Sequence, residues 1–451
     1  DSYGASRVLR WLFTGQLFDK GRFPVMTLCI ALGVIVCVAR FLRDPRARAI
    51  LAAFVLSLVL FFGRPTLGPI LNLLPGFQDI QIHRFVMGSD LAGIMLAGIG
   101  IAWMVERVYS LALRYAGQRR FVGWLAAASV AFIVLAIPVR DTMRYAQAGK
   151  GMIGQQQVSD RTDGRDADKL VEIVRGRNDG RVYAGLRGNW GRDYRVGNVP
   201  MHAWLANREL DAIGFSFRTV TSLSTDIEAA FDENNPAQYQ MMNVRYVILP
   251  PERSMTVPAQ LLMQSGRHRL YELPTSGYFQ VVDRAPPVFA DRKNIEQATL
   301  NFRRSTLASQ NIYPGVAFDG ATPPSPTFSG ESPAGGSPGH VLAQTQTLRD
   351  GVFNAAVEMT RPATVLLKAT YDPRWTATVD GKDVKPVMMA PSLVGVDVPT
   401  GVHAVVFRYK PYGGYPLLLL IGALTLAALI VVPRRLASRE KTSETVEKTV
   451  Q

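Results

Sequence analysis

Five apolar runs, each flanked by arginine, constrain this chain more than any other feature of its sequence. They are Phe23–Ala39, Ala47–Gly63, Val86–Val105, Phe121–Val139 and Tyr415–Pro433. A bilayer core takes roughly 20 apolar residues in helical form, with a lower limit near 17. The first two runs, at 17 residues each, sit at that limit. A helix buried in a large soluble core is the alternative for any single run, but five of them with charged ends fit spanning better. The predicted fold class is therefore a membrane α-helical protein of about five spans, with an extracytoplasmic mixed α/β unit and an antiparallel β-sandwich.

The basic residues between the runs set an orientation. Arg40, Arg43, Arg46 and Arg48 bracket the first tight turn, and Arg107, Arg114, Arg119 and Arg120 lie between the third and fourth runs. Arg434, Arg435, Arg439, Lys441 and Lys448 follow the fifth. If the spans alternate, these groups share one side, and the positive-inside tendency makes that side cytoplasmic. The loop Arg64–Asp90 and the segment Arg140–Tyr412 then face outward. This predicts a multi-pass protein of the bacterial inner membrane with a large extracytoplasmic domain. Residues 1–22 also fall outside, and they mix Arg7, Arg10, Lys20 and Arg22 with Trp11, Leu12, Phe13, Leu17 and Phe18. That mixture predicts an amphipathic helix on the membrane surface, with membrane lipid as a partner. The chain opens at Asp1 in what reads as the middle of a loop, so a piece of a longer protein with earlier helices is expected.

A formal charge of +14 on 451 residues would suit nucleic acid as a partner. The basic excess, however, sits beside apolar runs and no nucleic-acid module is recognisable, so that class is excluded. The two cysteines, Cys29 and Cys37, share one run. Eight residues apart on a helix they stand about 12 Å from each other, beyond disulfide distance. No zinc-ribbon spacing exists, and the outer region must stand on its apolar core alone.

Within that region, Arg140–Arg165 reads as a basic, polar linker and Asp166–Arg175 as a helix, apolar at Ala167, Leu170, Val171 and Val174. Gly180–Leu186 reads as a strand, and NVRYVILP (Asn243–Pro250) as a buried, β-branched one. HRLYELP and GYFQVVD follow as a pair of strands, closing a mixed α/β unit near Pro286. Ala321–His340, dense in Pro, Gly, Ser and Thr, reads as a flexible loop. Beyond it, strands in ATVLLKATYD, TATVDGKDVKPV, SLVGVDVP and HAVVFRYKP, with a tight turn at Asp380-Gly381, predict the antiparallel sandwich. The expected division is 1–22 as an interfacial segment, 23–139 as four spans, 140–286 as the α/β domain, 287–412 as the sandwich, and 413–451 as the last span with a cytoplasmic tail.

The run YDPRWTATVDGKDVKPV…LVGVDVPTGVHAVVFRYKP, followed by one terminal span, resembles the C-terminal end of YfhO-like bacterial membrane proteins. The residues that carry the likeness are Tyr371, Trp375, Val379, Asp380, Gly381, Lys382, Pro399, Gly401, His403, Tyr409 and Pro411. LPGFQDIQIHRFVMGSDLAGIMLAGIGI is similar to the loop-to-span segment of those proteins and of the pyruvoyl-tetrahydropterin-synthase-related membrane proteins, and NVRYVILP to a strand of their outer domain. The resemblance implies a GT-C-like architecture, the class that transfers sugars from polyprenyl-phosphate carriers at the outer membrane face. In that class the essential carboxylate lies in the first outer loop, a region this sequence does not contain.

Two groups of residues carry candidate chemistry. Arg64, Asp79, His83 and Arg84 lie in an outer loop at headgroup depth. There Arg64, His83 and Arg84 would hold a lipid phosphate, while Asp79, the weak catalytic candidate, would act as base or as ligand to a divalent metal ion. The competing reading is that both arginines anchor span ends. In RGNWGRDYRVGNVPMHAWL, Asn189, Trp190, Tyr194, His202 and Trp204 offer rings and polar groups suited to sugar, or else pack onto the domain. Trp375 and His403 read as structural, and no histidine pair has metal-ligand spacing. Small residues in GVIVCVAR and LAGIMLAGIGI read as helix-packing faces. Two functions follow. One is the C-terminal part of a glycosyltransferase that moves a polyprenyl-phosphate-linked sugar to a glycan acceptor; the other is a non-catalytic glycan-binding or scaffolding component of an envelope assembly complex.

Overall fold

A computed structural model describes residues 3–71, 81–115, 119–214, 225–290, 295–318 and 336–430. The chain divides into two compact units, Asp1–Gln155 and Gln156–Gln451.

The first unit is helical. Its elements are α1 (Ala5–Phe13), α2 (Gln16–Asp19), α3 (Val25–Ala39), α4 (Pro45–Phe62), α5 (Arg64–Leu71), α6 (Val86–Tyr115) and the start of α7 (Arg120–Arg161). Three stretches are long and apolar enough to cross a membrane: Pro45–Phe62, Ile82–Tyr115 and Arg120–Arg161. The run Val25–Ala39 forms a shorter apolar helix. In α7 only 11% of the most apolar stretch is buried, so Phe121, Phe132 and Ile133 are largely exposed, and Trp124 is covered only in part, by Tyr109.

Local chemistry sets the helix starts. Asp44 accepts the Arg46 N–H at 2.8 Å and Pro45 occupies the first turn of α4, where its missing N–H costs nothing. Buried Asp19 accepts from the Met26 and Thr27 N–H groups at 3.0 and 2.9 Å, satisfying two free donors at the start of α3. The small-residue faces read from sequence are packing faces: a Cβ at Gly33 would lie 1.9 Å from the Leu96 carbonyl oxygen, and one at Gly100 2.3 Å from that of Cys29. Only glycine lets α3 and α6 approach that closely.

Two expectations change here. Residues 1–22 do not present one free amphipathic helix. Val8 is fully buried, Tyr3 packs edge-on against Trp11 and Phe61, and Phe18 stacks on Phe54, so most apolar side chains of α1 and α2 cover the other helices, while Leu9 and Phe13 stay exposed. The polar linker expected over 140–165 is helical through Arg161. The apolar run before it supplies the nucleus, and adding turns rich in Arg, Met, Ala and Gln to an existing helix is cheap.

The second unit layers three sheets. Its helices are α8 (Asp163–Arg177), α9 (Met201–Ala206), α10 (Thr225–Ala229), α11 (Pro236–Met242), α12 (Ile295–Arg304) and α13 (Tyr415–Ile430). A mixed sheet holds β1 (Arg181–Tyr183), β4 (Val244–Leu249), β6 (His268–Glu272) and β5 (Gln260–Ser265), with β1 and β4 parallel; β2 (Arg195–Val196) and β3 (Val199–Pro200) form a small hairpin. A closed barrel joins β11 (Ala363–Leu367), β15 (Leu393–Val398), β14 (Val387–Met389), β8 (Ile312–Ala317) and β7 (Phe279–Phe289). An antiparallel sheet orders β13 (Lys382–Val384), β12 (Trp375–Val379), β16 (Gly401–Tyr409), β10 (Val352–Met359) and β9 (Gly339–Thr347).

Alternation divides these strands between cores. In β4, Tyr246 and Ile248 join the α8 and α9 side, while Val247 and Leu249 face the opposite core, which is why NVRYVILP is apolar throughout. In β7, Phe279 and Val281 pack toward β10 and β16, while Val282 turns into the barrel. The two sheets expected of a sandwich are therefore present face to face, but one of them closes on itself and includes the parallel β7–β8 pair. The division expected at 286/287 falls inside β7. Pro286 and Pro287 lie where pairing with β8 is irregular, between Ala285 and Val288, and both are exposed, so neither removes a ladder hydrogen bond. Most of the loop expected at Ala321–His340 lies outside the described residues. Every residue from 415 to 430 is exposed.

Candidate functional site

An open cleft of about 1310 Å³ lies in the second unit between the start of β1 and the aromatic edge of the antiparallel sheet. One wall carries Arg175, Arg181, Glu209 and Asp211; the other carries Phe353, Tyr371, Trp375 and Tyr409, with Tyr278 between.

The aromatic wall follows from strand ends. Trp375 opens β12 opposite Tyr409, which closes β16, and their rings meet edge-on at 5.3 Å. Phe353 packs on Trp375 at 5.9 Å and on Tyr278 at 5.5 Å. The Trp375 indole N–H donates to the Thr370 carbonyl at 2.9 Å, fixing the ring. Tyr371 and Tyr409 stay half-buried, with ring surface toward the cleft. Arg374 lies 5.1 Å over Tyr409 and is held by both oxygens of Asp372. Those hydrogen bonds keep the Asp372 carboxyl below its ordinary range.

On the opposite wall, Arg181 Nε donates to Asp211 Oδ2 at 2.9 Å and the Tyr278 hydroxyl donates to the same oxygen at 2.9 Å. Burial opposes the Arg181 charge, but Asp211 outweighs it and the guanidinium holds its proton more firmly than usual. Burial, reinforced by Asp211, pushes the Tyr278 phenol well above its ordinary value, so it remains a neutral donor. Such a wall offers fixed charge and hydrogen bonds beside edge-packed rings, which is chemistry for holding a polar ligand with apolar faces.

Of the residues proposed for sugar, three are core. Trp204 and Tyr194 are almost wholly buried, and His202 is 6% exposed with Nδ1 unpartnered among the described residues. Burial lowers the His202 pKa. Tyr194 instead donates to His268, and Trp204 sits under Arg208 with its N–H on Asp160. Asn189 caps a short turn by accepting from Leu186 and Gly191 N–H groups, and the half-buried Trp190 donates to Glu233 at 2.7 Å. The glycine-punctuated loop therefore folds its rings inward. This corrects the expected sugar role for Tyr194, His202 and Trp204: no ring face is left for a ligand.

Of the outer-loop group, Asp79 lies outside the described residues. Arg64 starts α5, and His83 and Arg84 occupy a one-turn helix, Ile82–Phe85, just before α6. Leu67, Leu71, Ile82 and Phe85 share one apolar cluster, which sets α5 beside that turn. Arg84 is exposed, and His83 Nδ1 is buried with no hydrogen-bond partner among the described residues. Among the described residues, no group of three or more His, Cys, Asp or Glu side chains is arranged to hold a metal ion.

Sequence reading missed Arg181, Asp211 and Tyr278, because nothing in their local pattern brings segments 175–211, 278 and 346–411 together. Tyr371, Trp375, Tyr409 and Pro411, which carried the family resemblance, all line the cleft. No family model, curated protein or solved structure matches the chain.

Proposed function

We propose that the chain is part of a membrane-anchored, glycan-binding component of the bacterial cell envelope, with the sheets of the second unit outside the cytoplasmic membrane and α13 within it. One observation carries this: the half-buried Tyr371 and Tyr409, backed by the buried Trp375, line a cleft whose facing wall holds the Arg181–Asp211 pair. Tyrosine and tryptophan rings stack on the apolar faces of sugars, and a fixed ion pair meets hydroxyls or a uronate. In this reading the five apolar runs span the bilayer, and the arginine-rich turns stay in the cytosol.

A second reading rests on the likeness to YfhO-like proteins. The chain would then be the C-terminal part of a GT-C-like glycosyltransferase. Arg64, His83 and Arg84 would hold the phosphate of a polyprenyl-linked sugar, and the cleft would receive the glycan acceptor. The placement of Arg84 on an exposed turn directly before a helix long enough to span favours it.

One experiment separates the two. Membranes carrying the full chain are supplied with a polyprenyl-phosphate sugar and an oligosaccharide acceptor, and both transfer and retention of the oligosaccharide are measured. Retention without transfer supports the binding component. Transfer that falls in Arg84→Ala supports the transferase, and neither retention nor transfer overturns both.

A further inference from the structure

We propose that a second, smaller pocket in the second unit, between the start of α11 and the turn after α12, binds a phosphate group through Arg303. It is remote in character from the aromatic cleft and does not rest on the glycan reading.

The last turn of α12 ends in Arg303 and Arg304. Phe302 is fully buried against Tyr313, ring centres 5.3 Å apart, and anchors that turn in the core. Arg303 is itself only 7% exposed, and its Nε and Nη1 make no hydrogen bond among the described residues. A basic residue at a helix C-terminus complements the helix dipole, which accounts for the sign of the charge. It does not account for buried N–H groups without an acceptor, since an unpaired buried cation is among the costliest arrangements a fold can keep. Asp232 acts on Arg303 only through space, with no ion pair formed, and burial followed by the neighbouring Arg304 lowers the Arg303 pKa.

The pocket that Arg303 lines has a volume of about 280 Å³ and also presents Arg304, Asn235, Gln238, Thr306 and Ser309. The side-chain oxygens of Asn235 and Gln238 accept from the Ala237 and Asp232 N–H groups at 3.0 and 2.9 Å. This orients both amides with their NH₂ groups free to donate. Ser309 is different, because its hydroxyl already donates to the Thr306 carbonyl at 2.6 Å. The pocket thus gathers two guanidinium groups, two amide donors and the Thr306 hydroxyl, and no carboxylate lines it among the described residues. That donor set matches a tetrahedral oxyanion, which accepts from the planar fork of arginine and from several neutral donors at once. At about 30 Å³ per water, the volume holds roughly nine waters, more than a bare phosphate needs. A phosphate monoester with a small substituent fits it.

The full chain in detergent micelles is unfolded thermally at constant ionic strength, with chloride replaced stepwise by inorganic phosphate and, in a second series, by glycerol phosphate. A saturable rise in midpoint is expected in both, because a ligand that binds only the folded state stabilises it. Tighter binding of glycerol phosphate assigns the site to phosphate esters, and equal binding assigns it to the free ion. Arg303→Met is expected to raise the midpoint without phosphate and to weaken both ligands about tenfold or more. Thr306→Val, at the rim, should weaken them several-fold with an unchanged phosphate-free midpoint, and it serves if the first variant does not fold. No saturable rise up to about 50 mM, or equal affinity in wild type and variants, overturns the proposal.

Discussion

The Tyr194 hydroxyl meets Nδ1 of His268 at 2.5 Å inside the layer between α8 and the mixed sheet, and Nε2 of the same ring lies 3.0 Å from Asp163. Both ring nitrogens are thereby used: Nδ1 accepts the tyrosine proton and Nε2–H donates to the carboxylate. Burial, partly offset by Asp163, keeps the His268 pKa below its ordinary value, so the ring is neutral. Asp163 remains ionised, its own burial outweighed by the bidentate Arg267. The chain Tyr194–His268–Asp163 is a structural link from the aromatic loop to the start of α8.

Tyr194→Phe should therefore cost about 1–3 kcal/mol of stability, because His268 Nδ1 is left buried without a donor. Glycan retention should be unchanged. The unfolded histidine takes up a proton near pH 6.5 and the folded one only at lower pH, so stability is intact above about 6.5 and falls as pH drops below it. Denaturant unfolding at pH 7.5 and 5.5 measures this; the acid loss should shrink in His268→Gln.

A buried lysine gives the second test. Lys368 is fully buried in β11's extension with Nζ 2.8 Å from Ser276 Oγ, and burial, then Arg181, holds its pKa well below the ordinary value. Ser276 Oγ also accepts from Gln240 Nε2 at 3.1 Å and donates to the Phe279 carbonyl, so it keeps partners without the lysine. The unfolded chain binds the lysine proton up to about pH 10.4 while the folded chain gives it up earlier. Stability should rise with pH across that interval. Lys368→Met should flatten the rise and stabilise the protein by about 1–4 kcal/mol at neutral pH, as apolar replacements of buried charges often do. Unfolding curves between pH 7 and 10 decide it.

The helices were legible because apolar length is a composition signal that survives any packing. The end of α7 was not, since residues 140–161 mix scattered apolar side chains with polar ones and three glycines, and the helix continues there from the apolar run before it. β4 was legible from its β-branched run. The barrel was not, because closure depends on β7 lying parallel to β8 on both sides of two exposed prolines, a relation that no local pattern encodes. Rings were harder still. Trp190, Tyr194 and Trp204 look in sequence like a ligand platform, yet their partners Glu233, His268 and Asp160 draw them inward. Of the cleft's rings Trp375 read as structural, and it indeed anchors its strand while lining the recess. Arg303 carried no sequence signal, because an Arg-Arg pair at a helix end is ordinarily solvated.

Orientation is tested by single cysteines in a chain whose own Cys29 and Cys37 are replaced by alanine. Arg349→Cys, exposed at the end of β9, should react with a membrane-impermeant maleimide added to intact cells. Arg119→Cys, exposed before α7, should react only after the membrane is opened. The reverse pattern would invert the proposed topology.

The central claim is that the aromatic cleft holds a glycan. Titration calorimetry of the full chain in lipid nanodiscs, with short neutral and uronate-containing oligosaccharides, tests it most directly. A saturable isotherm is expected for at least one of these, weakened about tenfold by Tyr371→Ala or Tyr409→Ala, in line with the loss of one stacking ring, and unchanged in Tyr194→Phe. Binding that survives both cleft substitutions, or heat no different from dilution with every oligosaccharide, would contradict it.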